Sequence, residues 1–130
     1  MGDPETEVVL PRLKNDLVEL FEAVHEGTLN IQNIEHDPRT ATTVMLVSGG
    51  YPEAYIKGKL ITNTEAVQDS LLFHAGTKED KGELLTNGGR VIAVTSYGNT
   101  MQEALEISNK NAEIVDFEGK NYRKDIGFDL

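Results

Sequence analysis

Apolar positions along the chain fall into two helical stripes and a series of short strand-like runs. Leu13, Leu17, Leu20, Phe21 and Val24 recur at helical spacing, with acidic and basic residues between them. Pro11 suits a first helical position and Gly27 the residue just past an end, so one amphipathic helix is expected between them. Met101, Ala104, Leu105, Ser108, Ala112 and Val115 form a second stripe, which predicts a helix over 100–115. Thr100 and Glu103 supply a Thr-x-x-Glu capping box at its start. Residues 91–95, apolar and β-branched, read as a buried strand that feeds this helix after a break at Gly98. Residues 41–47 read as another strand, apolar enough to be central. Residues 60–62 and 70–75 are further strands. An Asp80-Lys81-Gly82 turn returns the chain through 83–86 as a hairpin.

The remaining segments are less regular. Residues 28–39 form a connector in which Leu29, Ile31 and Ile34 alternate loosely enough for a short strand, closed by an Asp37-Pro38 turn. Residues 64–69 form a short helical turn or loop. Residues 117–127 mix charge, aromatics and glycine, and are expected to dock as a strand or loop with Arg123 paired to Asp125. The sum is one α+β domain, a mostly antiparallel sheet with two amphipathic helices.

Charge and composition narrow the function classes. The chain has 130 residues and a formal net charge of −10, with 22 acidic residues against 12 basic. Such a surface repels a phosphate backbone, so nucleic-acid binding is not expected, although local donors still decide whether one small phosphate binds. No apolar run approaches membrane-spanning length, so no membrane partner is expected. There are no cysteines, which removes disulfides and thiolate zinc sites and is compatible with a cytoplasmic location. The three histidines lack metal-ligand spacing. His25 complements a helix dipole, His36 sits in a loop, and His74 lies in a strand where a neighbour satisfies it.

Two glycine-rich turns carry the candidate chemistry. Asn87-Gly88-Gly89-Arg90 places a flexible turn and one cation at the entry to the buried strand. That arrangement offers backbone N–H groups and a guanidinium to an anion. Taken alone, Arg90 is more simply a surface ion-pair partner of one of the many carboxylates. Ser48-Gly49-Gly50-Tyr51-Pro52 follows a strand and is either a tight turn covered by its tyrosine or a ligand-facing loop. Near the start, Gly2-Asp3-Pro4-Glu5-Thr6 is dense in turn formers and runs into Val8-Val9-Leu10, a run that reads as a strand whose partner lies outside the chain.

Four stretches in register carry a resemblance: residues 2–6, residues 48–52, residues 73–77 with 88–91, and residues 122–127. In this order and at these separations they closely resemble the C-terminal part of the phosphoribosylamine–glycine ligases, which belong to the ATP-grasp superfamily. The resemblance covers essentially the whole chain. It implies a rudimentary single-hybrid-like fold and a part in joining glycine to 5-phosphoribosylamine with ATP hydrolysis, a step of purine synthesis. Glycine would be activated as an acyl phosphate, and the sugar amine would then displace phosphate. Such chemistry rests on positioning and on charge neutralisation by a divalent metal and cationic groups.

The resemblance also assigns roles. Arg90 falls where related enzymes bind the sugar phosphate, with Gly88 and Gly89 supplying N–H groups and Ser48, Gly49 and Gly50 lining the same pocket. Asp3 and Glu5 belong to the loop beside the metal site; read alone, they cap and shape the turn around Pro4. In the family a Glu-x-Asn-x-Arg-Phe segment with the metal-binding Glu and Asn precedes residue 2, and Met1 stands where its Phe would be. The expected division is therefore residues 1–10 as the end of the ATP-grasp segment and 11–130 as the C-terminal domain. The Mg²⁺ or Mn²⁺, the ATP and the remaining domains belong to the full-length enzyme. The chain alone is expected to bind no cofactor and to catalyse no ligation. The alternative is a stand-alone, non-catalytic binding or assembly module of the same fold.

Overall fold

A computed structural model describes residues 2–128; Met1, on which the reading of an interrupted motif turns, lies outside them. Three helices and five strands follow in the order α1 (Thr6–Arg12), α2 (Leu17–Glu26), β1 (Thr40–Val47), β2 (Ser70–His74), β3 (Thr77–Asp80), β4 (Glu83–Thr86), β5 (Arg90–Gly98) and α3 (Met101–Ile114). The strands form a three-stranded sheet, ordered β1-β5-β2, and the separate hairpin β3-β4; every pairing is antiparallel. This is the α+β architecture expected from the sequence.

The centre of the sheet is β5, not β1. Its apolar run is buried from Val91 to Val94 because it has a strand on either side and a helix on either face. Side chains alternate between those faces. Val44, Leu46, Ile92 and Val94 pack with Ala112, Val115 and Phe117 beneath α3 to form the core. On the opposite face, α1 is tied down by hydroxyls. Pro11 lacks the N–H that would bond the Glu7 carbonyl four residues back. The Thr95 hydroxyl lies 3.0 Å from that carbonyl and takes its place, while Tyr97 Oη donates to Pro11 O at 2.6 Å.

The N-terminal portion departs most from the sequence reading. Residues 8–10 lie within α1, not a strand, and Pro11 is inside that helix. The helix expected from residue 11 begins only at Leu17. There Asp16 Oδ1 accepts from the Val18 and Glu19 N–H groups, so a side-chain cap overrides the proline signal. Gly27 ends this helix in the left-handed conformation expected, at φ 70°. Leu29–Ile31 is a 3₁₀ turn, and Leu29, Ile31 and Ile34 are exposed instead of packing as a strand. Thr64–Ala66 is likewise a 3₁₀ turn. Residues 60–62 contribute only isolated bridges, from Leu60 to Leu85 and from Thr62 to Asp116. The hairpin's first arm is Thr77–Asp80, whereas Ser70–His74 joins the other sheet.

The C-terminal half follows the expectation closely. Glu103 N donates to Thr100 Oγ1 at 3.2 Å, and the Glu103 carboxylate reaches back to the Asn99 N–H at 2.8 Å. The tail docks through a bridge between Val47 and Asn121, and Arg123 pairs with Asp125 at 3.0 Å.

Candidate functional site

The two glycine turns meet at the entry to β5. The β1–β5 register slips between Leu46 and Val47, so Val47 stands opposite Arg90 and the chain enters the 48–52 turn at that point. Ser48 is buried, its N–H donates to Gly89 O at 2.8 Å, and its hydroxyl donates to Gly88 O at 2.8 Å. Ser48 thus clamps the carbonyls of the Arg90 turn. The N–H groups of Gly88 and Gly89 have no hydrogen-bond acceptor among the described residues.

Close packing explains why this turn needs glycine. A Cβ on Gly89 would lie 2.1 Å from the Tyr51 ring, and one on Gly76 would lie 2.7 Å from Gly88 Cα and 2.4 Å from the Arg90 carbonyl. The turn is both covered by Tyr51 and built around a bare backbone. At Gly49 and Gly50 an added Cβ would meet the carbonyls of Gly119 and Ala54, so both glycines shape the loop beside the Arg90 turn.

Arg90 is half-exposed and points toward the start of the chain, where its Nη2 lies 2.8 Å from Asp3 Oδ2. Glu7, in the first turn of α1, completes the group. One of its carboxylate oxygens is buried without a partner. Burial first, and then the neighbouring Asp3, push its carboxyl above the usual range, against a smaller opposing pull from Arg90. Sequence reading missed Glu7 because residues 8–10 looked like a strand. Glu7 lies in the first turn of α1 and Asp3 in the turn just before it. Glu5 leaves this group and lines a separate apolar cleft with Val8, Thr42, Met101 and Leu105.

The other candidates are structural. His74 Nδ1 lies 3.1 Å from Thr77 Oγ1, His25 is in the last turn of α2, and His36 bridges to Leu13. Arg39 stacks 4.4 Å over the Tyr97 ring and grips Asp37 with two nitrogens, which holds that carboxyl well below its ordinary range. Among the described residues no group of three or more His, Cys, Asp or Glu side chains is arranged to hold a metal ion. No helix among them is long and apolar enough to cross a membrane.

A conserved-domain match and whole-chain relatives now bear on this arrangement. Residues 41–129 match the family described as phosphoribosylglycinamide synthetase, C domain. A phosphoribosylamine–glycine ligase of Chlorobaculum tepidum is 45% identical over 98% of this chain, which spans 31% of that protein. A bifunctional purine biosynthetic protein of Pichia angusta is 44% identical over 96% of the chain, which spans 16% of it. The crystal structure of the phosphoribosylamine–glycine ligase from Thermotoga maritima superposes with a TM-score of 0.75 at 40% identity, over 96% of this chain and 31% of that one. The fold of this chain thus has a counterpart in a solved phosphoribosylamine–glycine ligase, of which it spans about a third. The chain belongs to the phosphoribosylglycinamide synthetase C-domain family.

Proposed function

We propose that this chain works as the C-terminal part of a phosphoribosylamine–glycine ligase, joining glycine to 5-phosphoribosylamine with conversion of ATP to ADP and phosphate. Arg90 binds the sugar phosphate, and the Gly88 and Gly89 N–H groups supply further donors. The observation that carries this role is the combination at one turn: among the described residues, a guanidinium held by one carboxylate contact beside two glycine N–H groups that have no acceptor. A guanidinium offers five donors, so Arg90 can grip a phosphate while keeping its hold on Asp3. Ser48 keeps the turn in shape, while Gly49 and Gly50 bend the adjoining loop. Asp3 and Glu5 belong to the loop leading to the metal site.

The Mg²⁺ or Mn²⁺ and the ATP are assigned to the polypeptide that the longer relatives carry in addition. The described residues do not supply a ligand cluster of their own. The chain alone is inactive in this reading, its partners are the ATP-grasp and N-terminal portions of the same enzyme, and its setting is the cytoplasm.

The test is a graft in which residues 1–130 replace the matching part of the Chlorobaculum tepidum ligase. Glycine-dependent ADP formation with 5-phosphoribosylamine is expected from the graft. Arg90→Met should raise the KM for phosphoribosylamine by roughly 10- to 100-fold, the worth of about one charge-assisted contact, and leave the KM for ATP unchanged. A folded graft without activity, or an Arg90→Met variant with unchanged KM, overturns the proposal and favours a non-catalytic module.

A further inference from the structure

Exposed apolar side chains are concentrated in one part of this molecule. Of the twelve large hydrophobic residues that are exposed among the described residues, seven lie within the first 40 positions. On α2, Val18, Phe21 and Val24 are 63%, 62% and 59% exposed. They fall at i, i+3 and i+6, so they make one stripe. Leu29, Ile31 and Ile34 continue the apolar surface into the following connector. The helix buries only Ala23 and packs principally on the 29–31 turn, not on either sheet. A ten-residue helix with no core beneath it is marginal in water, so this one needs a cover.

We infer that the apolar stripe of α2, extended by Leu29, Ile31 and Ile34, is the seat on which the remaining polypeptide of the longer ligase packs. The inference rests on the proposed ligase reading. Two observations choose this occupant. The matched C domain covers residues 41–129, so the whole seat lies ahead of it, yet whole-chain relatives align over 96–98% of the chain and so include the seat. The chain spans only 31% of the Chlorobaculum tepidum relative, which leaves ample polypeptide to cover it. Charge argues against a second copy of this chain. The net charge is −10, and Glu22, Glu26 and Glu19 lie along one side of the stripe, so two copies would bring like charges together. The covering surface is therefore apolar at its centre with a Lys- or Arg-bearing rim.

The chain has no cysteine, so Val18→Cys and Phe21→Cys each introduce a single thiol reporter. Labelling rates are compared in the isolated chain and in the graft, read on the peptide that carries the reporter. Both thiols are expected to label fast in the isolated chain and at least about 100-fold more slowly in the graft. Val94→Cys, buried in β5, should stay protected in both and certify folding. Equal labelling of Phe21→Cys in the two settings overturns the inference. So does protection in the isolated chain that grows with concentration, because that makes a second copy the occupant. Activity of the graft reports separately on the ligase reading: an active graft with a freely labelled Phe21→Cys sinks only the seat, and an inactive one with a protected Phe21→Cys sinks only the chemistry. A further variant needs no graft. Phe21→Asp is expected to leave the thermal midpoint of the isolated chain unchanged, and a fall as large as that of a core substitution overturns the exposure on which the seat depends.

Discussion

Asp3 holds Arg90 by one 2.8 Å contact across the gap between the N-terminal turn and the first residue of β5. Both side chains are substantially solvated, at 63% and 38% exposure. A pair in that setting contributes little to folding, on the order of 0–1 kcal/mol, since water screens the attraction and two side chains lose freedom. Asp3→Asn is therefore expected to lower unfolding stability by less than about 1 kcal/mol in urea titrations. A loss several times larger would mean that the pair is a fold determinant, and effects of Arg90 substitutions on binding would then need to be separated from unfolding.

Glu7 makes the opposite kind of prediction, because its carboxyl is raised above the ordinary value of 4.5 by burial and by Asp3. Between that value and the higher native one, the folded chain holds more proton than the unfolded chain. Stability then falls as pH rises through the window. Glu7→Gln keeps the shape and removes the charge. The variant should match the parent near pH 4, where the native carboxyl is protonated, and should be the more stable of the two at pH 7. Urea midpoints at the two pH values check this, and a variant less stable at pH 7 than at pH 4 relative to the parent would contradict it.

Local signals with a complete partner set within a few residues were legible in the sequence. The Thr100–Glu103 cap, the Gly27 stop and the Arg123–Asp125 pair all formed as read. What failed depended on distant residues. Val8, Val9 and Leu10 sit in a helix because Thr95, 88 residues away from Glu7, satisfies the carbonyl that Pro11 leaves open. Apolar composition made 41–47 look central, but sheet order is set by pairing, and β1 is an edge whose core-facing side chains are covered by α3. The meeting of the 48–52 and 87–90 turns was suggested only by family resemblance. No local pattern shows that Ser48 bonds Gly88, 40 residues on.

A buried chain of hydroxyls under α3 was equally invisible in the sequence, since serine and threonine read as neutral at every position. Asn111 Nδ2 donates to Ser70 Oγ at 2.6 Å, Ser70 and Ser96 lie 2.6 Å apart, Ser96 and Ser108 lie 2.9 Å apart, and Ser108 donates to Thr42 O at 3.3 Å. Ser108 is the branch point: its hydroxyl donates toward Ser96 Oγ and the Thr42 carbonyl and lies 2.9 Å from Thr42 Oγ1. Ser108→Ala removes the hydroxyl that links Ser96 to Thr42 and takes one partner from each. The expected loss is about 1–3 kcal/mol of unfolding free energy, the cost of an unsatisfied buried polar group. A loss much below that would show that the remaining hydroxyls reorient and close the gap.

Lys120 closes the other end of the same helix. Its ammonium donates to the carbonyls of Ala112, Glu113 and Val115 at 3.0, 3.1 and 2.6 Å, and its side chain is only 13% exposed. The last carbonyls of a helix lack intrahelical donors and carry the negative end of the helix dipole, so a cation there satisfies both hydrogen bonding and charge. Asp116, 3.7 Å away, adds a weaker attraction. Lys120→Met keeps the apolar stem and removes every donor. The variant is expected to lose about 1–3 kcal/mol of stability and to exchange the Val115 amide, bonded to Asn111 O at 3.2 Å, faster than the parent. Unchanged exchange at Val115 with unchanged stability would mean that water replaces the ammonium at no cost, and that the docked tail, not its lysine, holds the end of α3.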